Sequence, residues 1–219
     1  MDLRNYRRSK KILLIAVLLL MTIVILTACN PGKDNPFEAE GFAMGTIISQ
    51  KVYGPNAQQA ADEVLEKIKY LENLMTFNAP NGDIYKLNQN AGQEPIKINS
   101  ETAQVLQVAL EFAELSKGAF DPTVGPVVKS WDIGGIGERI PSPEELQKLK
   151  ALINYQDVYL DDSIAGLQRS GQMIDLGGIA KGYAGDAALE IYKENGCNSA
   201  LLNLGGNVVA LGSRPDGKW

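Results

Sequence analysis

One octapeptide, Asp175-Leu176-Gly177-Gly178-Ile179-Ala180-Lys181-Gly182, has the pattern of a strand-to-helix junction. It joins a predicted strand at 173–176 to a predicted helix at 179–194. Glycines at such a junction let backbone amides approach a ligand closely, and the N-terminus of a helix favours an anion. Asp175 would stand at the strand end, and Lys181, near the first helical turn, could meet a phosphate. Read alone, the sequence is neither G-x-G-x-x-G nor Walker A, and a tight turn with a capping Asp explains it equally well.

Strand patterns lie on both sides of this junction. Short β-prone stretches cover 42–53, 158–160 and 201–211, and Gly205-Gly206 interrupts the last of them. Glycines inside a strand indicate either a bend or a close approach of the backbone to a ligand. Both readings stay open for this pair.

Helical patterns fill much of the remaining chain. Apolar residues repeat at helical spacing after Asn56, which is a candidate cap, and again after Ser100, the expected cap of a second helix. Ser142 followed by Pro143 and Glu145 forms a capping box, which marks a third helix start. The mixture predicts an α+β or an α/β fold without internal repeats.

Two loop motifs are ambiguous when each is read by itself. In the stretch 118–126, the Asp121-Pro122 step forces an extended or turned backbone and could aim the carboxylate outward, although a rigid structural turn explains it as well. Met44 beside Gly45 could cover a planar ligand, but a core methionine is the more ordinary interpretation.

The composition excludes several classes of function. The chain of 219 residues has no His and only 2 Cys, so it contains no Ser-His-Asp triad, no His general base and no closed zinc site. A hard cation bound through oxygen, such as Mg²⁺, is the metal class that remains natural. The net charge is −5 although the first 28 residues are basic, so the remaining body is acidic. An acidic body argues against nucleic acid as a partner.

The N-terminus has the layout of an export signal. Five basic residues precede an apolar run that ends in Leu26-Thr27-Ala28-Cys29, which resembles a bacterial lipobox. We expect 1–28 to be a lipoprotein signal peptide, Cys29 to be lipidated, and 29–40 to tether the domain to the bilayer at the extracytoplasmic face of the cell membrane. An uncleaved anchor and a free Cys29 thiol are the alternatives. Cys197 is expected to be a buried, inert thiol.

Five motifs occur in order along the body of the chain. They are Met44-Gly45-Thr46; Leu74-Met75-Thr76-Phe77-Asn78 with Asp83-Ile84-x-x-Leu87-Asn88; Phe120-Asp121-Pro122-Thr123-Val124-Gly125-Pro126 followed by Trp131; Asp175-Leu176-Gly177-Gly178-Ile179-Ala180-Lys181-Gly182-Tyr183-Ala184; and Asn203-Leu204-Gly205-Gly206-Asn207. Together they closely resemble the ApbE family, whose members are FAD:protein FMN transferases and often bacterial lipoproteins. The resemblance covers 41–219.

The resemblance implies a single α+β, T-fold-like flavin transferase domain that uses FAD as substrate and Mg²⁺ as cofactor. Such an enzyme moves FMN from FAD to a Thr hydroxyl of a target protein and releases AMP. The implied targets are subunits of membrane redox complexes, such as sodium-pumping NADH:quinone oxidoreductases. The likeness assigns no catalytic side chain.

Carried over position by position, the resemblance also implies specific site residues. FAD contacts are expected at Met44, Phe77 (often Tyr in the family), Ala119, Phe120, Asp121, Asp175 and Lys181. Gly178 matches a metal-ligand position, where only its backbone carbonyl can serve.

The chain also departs from the family pattern at its end. Val208 to Leu211 reads as a strand and Arg214-Pro215-Asp216-Gly217 as a turn, but the chain stops at Trp219 before a second hairpin arm. Family members continue with a His-x-x-Asp-Pro motif and further metal ligands. We therefore expect the domain to lack its C-terminal part and the 219-residue form to be inactive or weak. A lipid-anchored FAD-binding protein without transferase activity is one alternative, and a chain without a stable fold is another.

Overall fold

The computed structural model describes residues 35–219 as one α+β arrangement of seven strands and six α-helices. The strands are β1 (Phe37–Ala43), β2 (Thr46–Tyr53), β3 (Ile96–Lys97), β4 (Val158–Asp161), β5 (Ile164–Leu167), β6 (Ser199–Leu204) and β7 (Asn207–Leu211). The helices are α1 (Ala57–Met75), α2 (Asp83–Gln89), α3 (Ser100–Leu115), α4 (Gly125–Trp131), α5 (Pro143–Lys150) and α6 (Ala180–Glu194), with a 3-10 turn at Tyr155–Asp157.

Two separate antiparallel sheets organise these elements. The larger sheet has the strand order β1-β2-β6-β7, and the smaller one has the order β3-β5-β4. Helices α1 and α6 pack on each other and on the large sheet. Because no parallel strand ladder is present in either sheet, the fold is α+β, as one of the two sequence alternatives predicted.

The core lies between the large sheet and the helix pair α1 and α6. Residues at helical spacing on α1, with Val64, Ile68 and Leu71 at its centre, are fully buried against it. Tyr192 of α6 is also fully buried, and its hydroxyl donates a hydrogen bond of 2.6 Å to Oε1 of Gln50 on β2. Burial raises the pKa of the Tyr192 phenol, so the group stays protonated and keeps this donor.

Two stretches that read as single strands are in fact hairpins. The predicted strand 42–53 is divided by the turn Met44-Gly45, whose φ angles are 50° and 68°. The predicted strand 201–211 is divided at Gly205-Gly206, with φ angles of 58° and 97°. Two successive residues with positive φ form the tight turn that matches the twist of antiparallel strands. The second glycine pair is therefore a hairpin turn rather than a bend within one strand.

The domain begins earlier in the sequence than predicted. Strand β1 starts at Phe37 and pairs with β2 along its whole length, so 37–40 belong to the sheet and not to the tether. Phe37 packs against the core, which explains why this polar-looking segment is ordered. The predicted signal peptide, 1–28, and Cys29 lie outside the described residues. Within 35–219, no helix combines the length and the apolar character needed to cross a bilayer.

Other local predictions had mixed outcomes. The stretch 173–176 forms no strand ladder, and only an isolated bridge joins Met173 to Val124. Asn99 caps α3, accepting a hydrogen bond from the Glu101 amide, so the prediction of Ser100 as the cap was wrong by one residue. The prediction for Ser142 is confirmed, because its side chain accepts from the Glu145 amide at the start of α5.

The prediction for Cys197 is also confirmed. Its side chain is fully buried, and burial raises the pKa of the thiol. The thiolate, which is the reactive form, is therefore scarce.

Candidate functional site

Two hairpin turns lie side by side at one end of the large sheet. The turn Met44-Gly45 joins β1 to β2, and the turn Gly205-Gly206 joins β6 to β7. Because β2 and β6 are neighbours, a Cβ at Gly205 would lie 2.1 Å from Oγ1 of Thr46. Glycine at this position therefore allows the two turns to pack closely, and it brings two of the five motifs together.

The octapeptide 175–182 reaches the same end of the sheet as the entry to α6. The amide of Asp175 donates to the carbonyl of Pro122 at 2.8 Å, and Oδ1 of Asp175 accepts from the Gly177 amide at 2.7 Å. Asp175 thus shapes the turn and does not cap the helix, whose N-cap position is held by Ile179 without a side-chain bond. The first turn of α6 contains no acidic residue but does contain Lys181, so this end is electropositive.

A first cavity of about 310 Å³ opens on one side of this turn. Its walls come from the β1–β2 turn, the end of α1 with the segment after it, and the octapeptide: Met44, Gly45, Glu72, Met75, Thr76, Phe77, Asn78, Asp175, Leu176, Gly177, Ala180 and Lys181. Four of the predicted site residues, Met44, Phe77, Asp175 and Lys181, are therefore brought together. Two of them offer apolar surface and two offer charge.

A second cavity, of about 490 Å³, opens on the other side of the same turn. It is lined by Phe112, Phe120, Gly177, Gly178, Ile179, Lys181, Gly182 and Asn207. The ring of Phe120 lies over Gly178, where an added Cβ would approach the ring to 3.1 Å. Gly177 and Lys181 line both cavities, so the two spaces meet at the start of α6.

Asp121 organises its own loop, as the structural-turn alternative for 118–126 predicts. Its Oδ1 accepts from the amide of Thr123 at 2.8 Å and from the Thr123 hydroxyl at 2.6 Å, and its Oδ2 accepts from the Tyr155 amide at 3.0 Å. The carboxylate is therefore turned into the protein instead of outward, because three donors surround it there. Asp121 and the exposed Ala119 line neither cavity. Of that tripeptide, only Phe120 reaches one.

Several cavity residues were missed by sequence reasoning. Glu72 and Asn78 line the first cavity, and Phe112 and Asn207 line the second. Glu72 lies on the last turn of α1, one helical turn before Thr76. Helical periodicity, followed to the last turn of the helix, could therefore have placed Glu72 near the first cavity. The sequence carries no comparable signal for Phe112, which looks like any other apolar residue of α3.

The described residues do not form a metal site by themselves. Within 35–219, no group of three or more His, Cys, Asp or Glu residues is arranged to hold a metal ion. The carbonyl of Gly178, at the position that the resemblance marks as a metal ligand, is a single oxygen. Mg²⁺ prefers six ligands in near-octahedral geometry. These residues therefore do not fit Mg²⁺ as a complete site, and no chemical step is assigned to it.

Comparison with known proteins shows which protein family this sequence matches. A family model described as "ApbE family" matches residues 44–219, which include both cavities. The chain belongs to the ApbE family. The match confirms the resemblance carried by the five motifs.

Individual relatives agree with the family match. The chain is 34% identical over 171 residues to an FAD:protein FMN transferase of Klebsiella pneumoniae, covering 77% of this chain and 54% of that protein. It is 32% identical over 207 residues to an FAD:protein FMN transferase of Treponema pallidum, covering 87% of this chain and 57% of the relative. A crystal structure of the ApbE protein of Thermotoga maritima superposes with a TM-score of 0.77 at 32% identity, covering 82% of this chain and 60% of that one. The chain thus spans little more than half the length of its relatives.

Proposed function

We propose that this chain binds FAD and takes part in transferring its FMN half to a threonine hydroxyl of a target protein. The observation that carries the proposal is the pair of cavities that meet at Gly177 and Lys181. FAD has two ring systems joined by a pyrophosphate. Two partly apolar spaces joined at an electropositive helix start match that shape and charge. The names of the relatives give the reaction.

In the proposed reaction, the threonine oxygen forms a bond to the phosphorus on the FMN side of the pyrophosphate. The bond from that phosphorus to the bridging oxygen breaks, AMP leaves with the bridging oxygen, and the hydroxyl proton is released to solvent or to AMP. Lys181 would stabilise the charge on the phosphates, and the glycines would let the anion approach the backbone. The absence of His in the chain is compatible with this chemistry, because positioning and charge carry most of it.

Magnesium dependence is part of the proposal, on the strength of the family resemblance. Among the described residues, the resemblance marks one metal ligand, the Gly178 carbonyl. FMN transfer should therefore be measured with and without EDTA. Equal transfer in both would contradict the dependence on Mg²⁺.

We further propose that the domain acts at the extracytoplasmic face of the membrane, anchored by a lipid on Cys29, and that its acceptor is a subunit of a membrane redox complex. The lipobox-like tetrapeptide that ends in Cys29 supports the anchor. Metabolic labelling with a radioactive fatty acid should label the wild-type chain and not Cys29→Ser. Equal labelling of both would contradict the anchor.

The transfer itself is tested by co-expressing the chain with a candidate acceptor subunit and examining the acceptor after denaturing electrophoresis. Covalent flavin fluorescence on the acceptor, with release of one AMP per FMN attached, supports the proposal. FAD binding without AMP release or covalent flavin would instead favour an FAD-binding protein without transferase activity. The variant Lys181→Met should lose both signals.

A further inference from the structure

Glu72 is an unusual carboxylate. Within residues 35–219 its side chain accepts no hydrogen bond and forms no ion pair, although it is half-buried in the wall of the first cavity. The other half-buried carboxylates of this part of the chain all have a partner: Asp83, Glu101, Asp121, Glu145, Asp157 and Asp175. A half-buried charge without a partner is costly, because desolvation is not compensated.

The position of Glu72 on its helix adds to this cost. It lies on the last turn of α1, where unsatisfied carbonyls give the helix a negative end, and that turn contains no basic residue. A carboxylate here is therefore unfavourable for the helix as well as for burial. Neither packing nor helix electrostatics accounts for a glutamate at this position.

The surroundings of Glu72 indicate what it would contact. Met44 and Phe77 line the same cavity and offer apolar surface for a planar ring. Lys181 is the cation of this cavity and is suited to the pyrophosphate. An ionised carboxylate only accepts hydrogen bonds and repels phosphate, so it suits a neutral donor on the edge of a ring.

We propose that Glu72 is a specificity-determining residue that accepts a hydrogen bond from an N–H group on the edge of the ring system that the dinucleotide places in the first cavity. This rests on the proposed binding of FAD. Among the ring systems of FAD, two groups donate an N–H from the ring edge: the 6-amino group of adenine and the N3–H of the isoalloxazine. The one that lies in the first cavity donates to the Glu72 carboxylate.

The test is equilibrium dialysis of the full chain against three ligands: FAD, its hypoxanthine analogue, which lacks the adenine amino group, and its N3-methyl analogue. The wild type should lose about 10- to 100-fold in affinity for one analogue and keep its affinity for the other, because a hydrogen bond to a charged group is lost. The analogue that is affected tells which ring occupies the cavity.

Two variants and one control complete the design. Glu72→Met removes the acceptor. Its affinity for FAD should fall to the affinity that the wild type has for the affected analogue. Its own affinity for that analogue should equal that of the wild type. Glu72→Gln keeps a neutral acceptor and should be intermediate. Glu66→Met, on the same helix and outside both cavities, should bind all three ligands like the wild type. Both Glu72 variants should melt at or above the wild-type temperature.

The outcomes separate the two proposals. If the wild type does not bind FAD, the proposed function fails and this inference fails with it. Two results would overturn only the role of Glu72. In one, the wild type binds both analogues as tightly as it binds FAD. In the other, Glu72→Met binds FAD as tightly as the wild type does. A lower melting temperature of the Glu72 variants would indicate a structural role and would also contradict the inference.

Discussion

Replacing Asp121 with Ala tests whether this carboxylate organises the site loop or contacts the ligand. The substitution removes the acceptor of three hydrogen bonds, two from Thr123 and one from the Tyr155 amide. Bonds to a charged group contribute about 1.5–3 kcal/mol each when buried, but Asp121 is only half-buried and water will replace part of them. We expect the free energy of unfolding to fall by about 2–4 kcal/mol.

A loss of this size lowers the melting temperature of a domain of this length by about 5–15 °C, which is measurable by circular dichroism or calorimetry. The matched control is Asp186→Ala on the exposed face of α6, which should change stability by less than about 0.5 kcal/mol. If Asp121→Ala melts like the wild type and yet loses FAD binding, the carboxylate contacts the ligand and the structural interpretation is refuted.

Three further substitutions or reactions have defined outcomes. Gly205→Ala adds a Cβ at φ +58° and brings it 2.1 Å from a neighbouring hydroxyl, so the free energy of unfolding in denaturant should fall by about 2–4 kcal/mol. Gly45→Ala adds a Cβ at φ +68° but into open space, so that free energy should fall by only about 1 kcal/mol. Equal losses would contradict the close packing of the two turns. Lys181→Met should weaken FAD binding about tenfold but leave riboflavin binding unchanged, since riboflavin has no phosphate; a matching loss for riboflavin would contradict a phosphate contact. The raised pKa and burial of Cys197 predict that a thiol reagent labels it only in denaturant, and fast labelling of the folded chain would contradict this.

The sequence predicted the elements whose signals are local. The capping box at Ser142 and the helix 179–194 are formed by neighbouring residues, so spacing and composition were enough to find them. The two hairpins were missed because Met44 is not a typical residue for positive φ, and because a glycine pair inside an apolar run also suits a bend. Deciding between these readings needs the partner strand, which no single stretch of sequence contains.

The sequence likewise predicted only part of the candidate site. The structure brings Met44, Phe77 and Lys181 together at the first cavity, although they come from distant parts of the chain. Their contact with FAD stays a prediction. The predicted FAD contact of Asp121 is not tested by the structure. Its bond from the Tyr155 amide could not be predicted, because Tyr155 lies 34 residues away and carries no local signal. No role was predicted for Glu72. Helical periodicity could have placed it at this end of α1, but only the folded structure shows that, among the described residues, its side chain lacks a hydrogen-bond partner in the cavity wall.

One dinucleotide that occupies both cavities across the start of α6 should protect both sides of that start at once, which hydrogen–deuterium exchange with and without FAD measures. FAD should slow exchange in 72–78 on the first side, at Phe112, Phe120 and Asn207 on the second, and in 177–182 between them, at the same FAD concentration. Unchanged exchange at all of these residues, or protection confined to one side of 177–182, would contradict the occupation of both cavities by one dinucleotide.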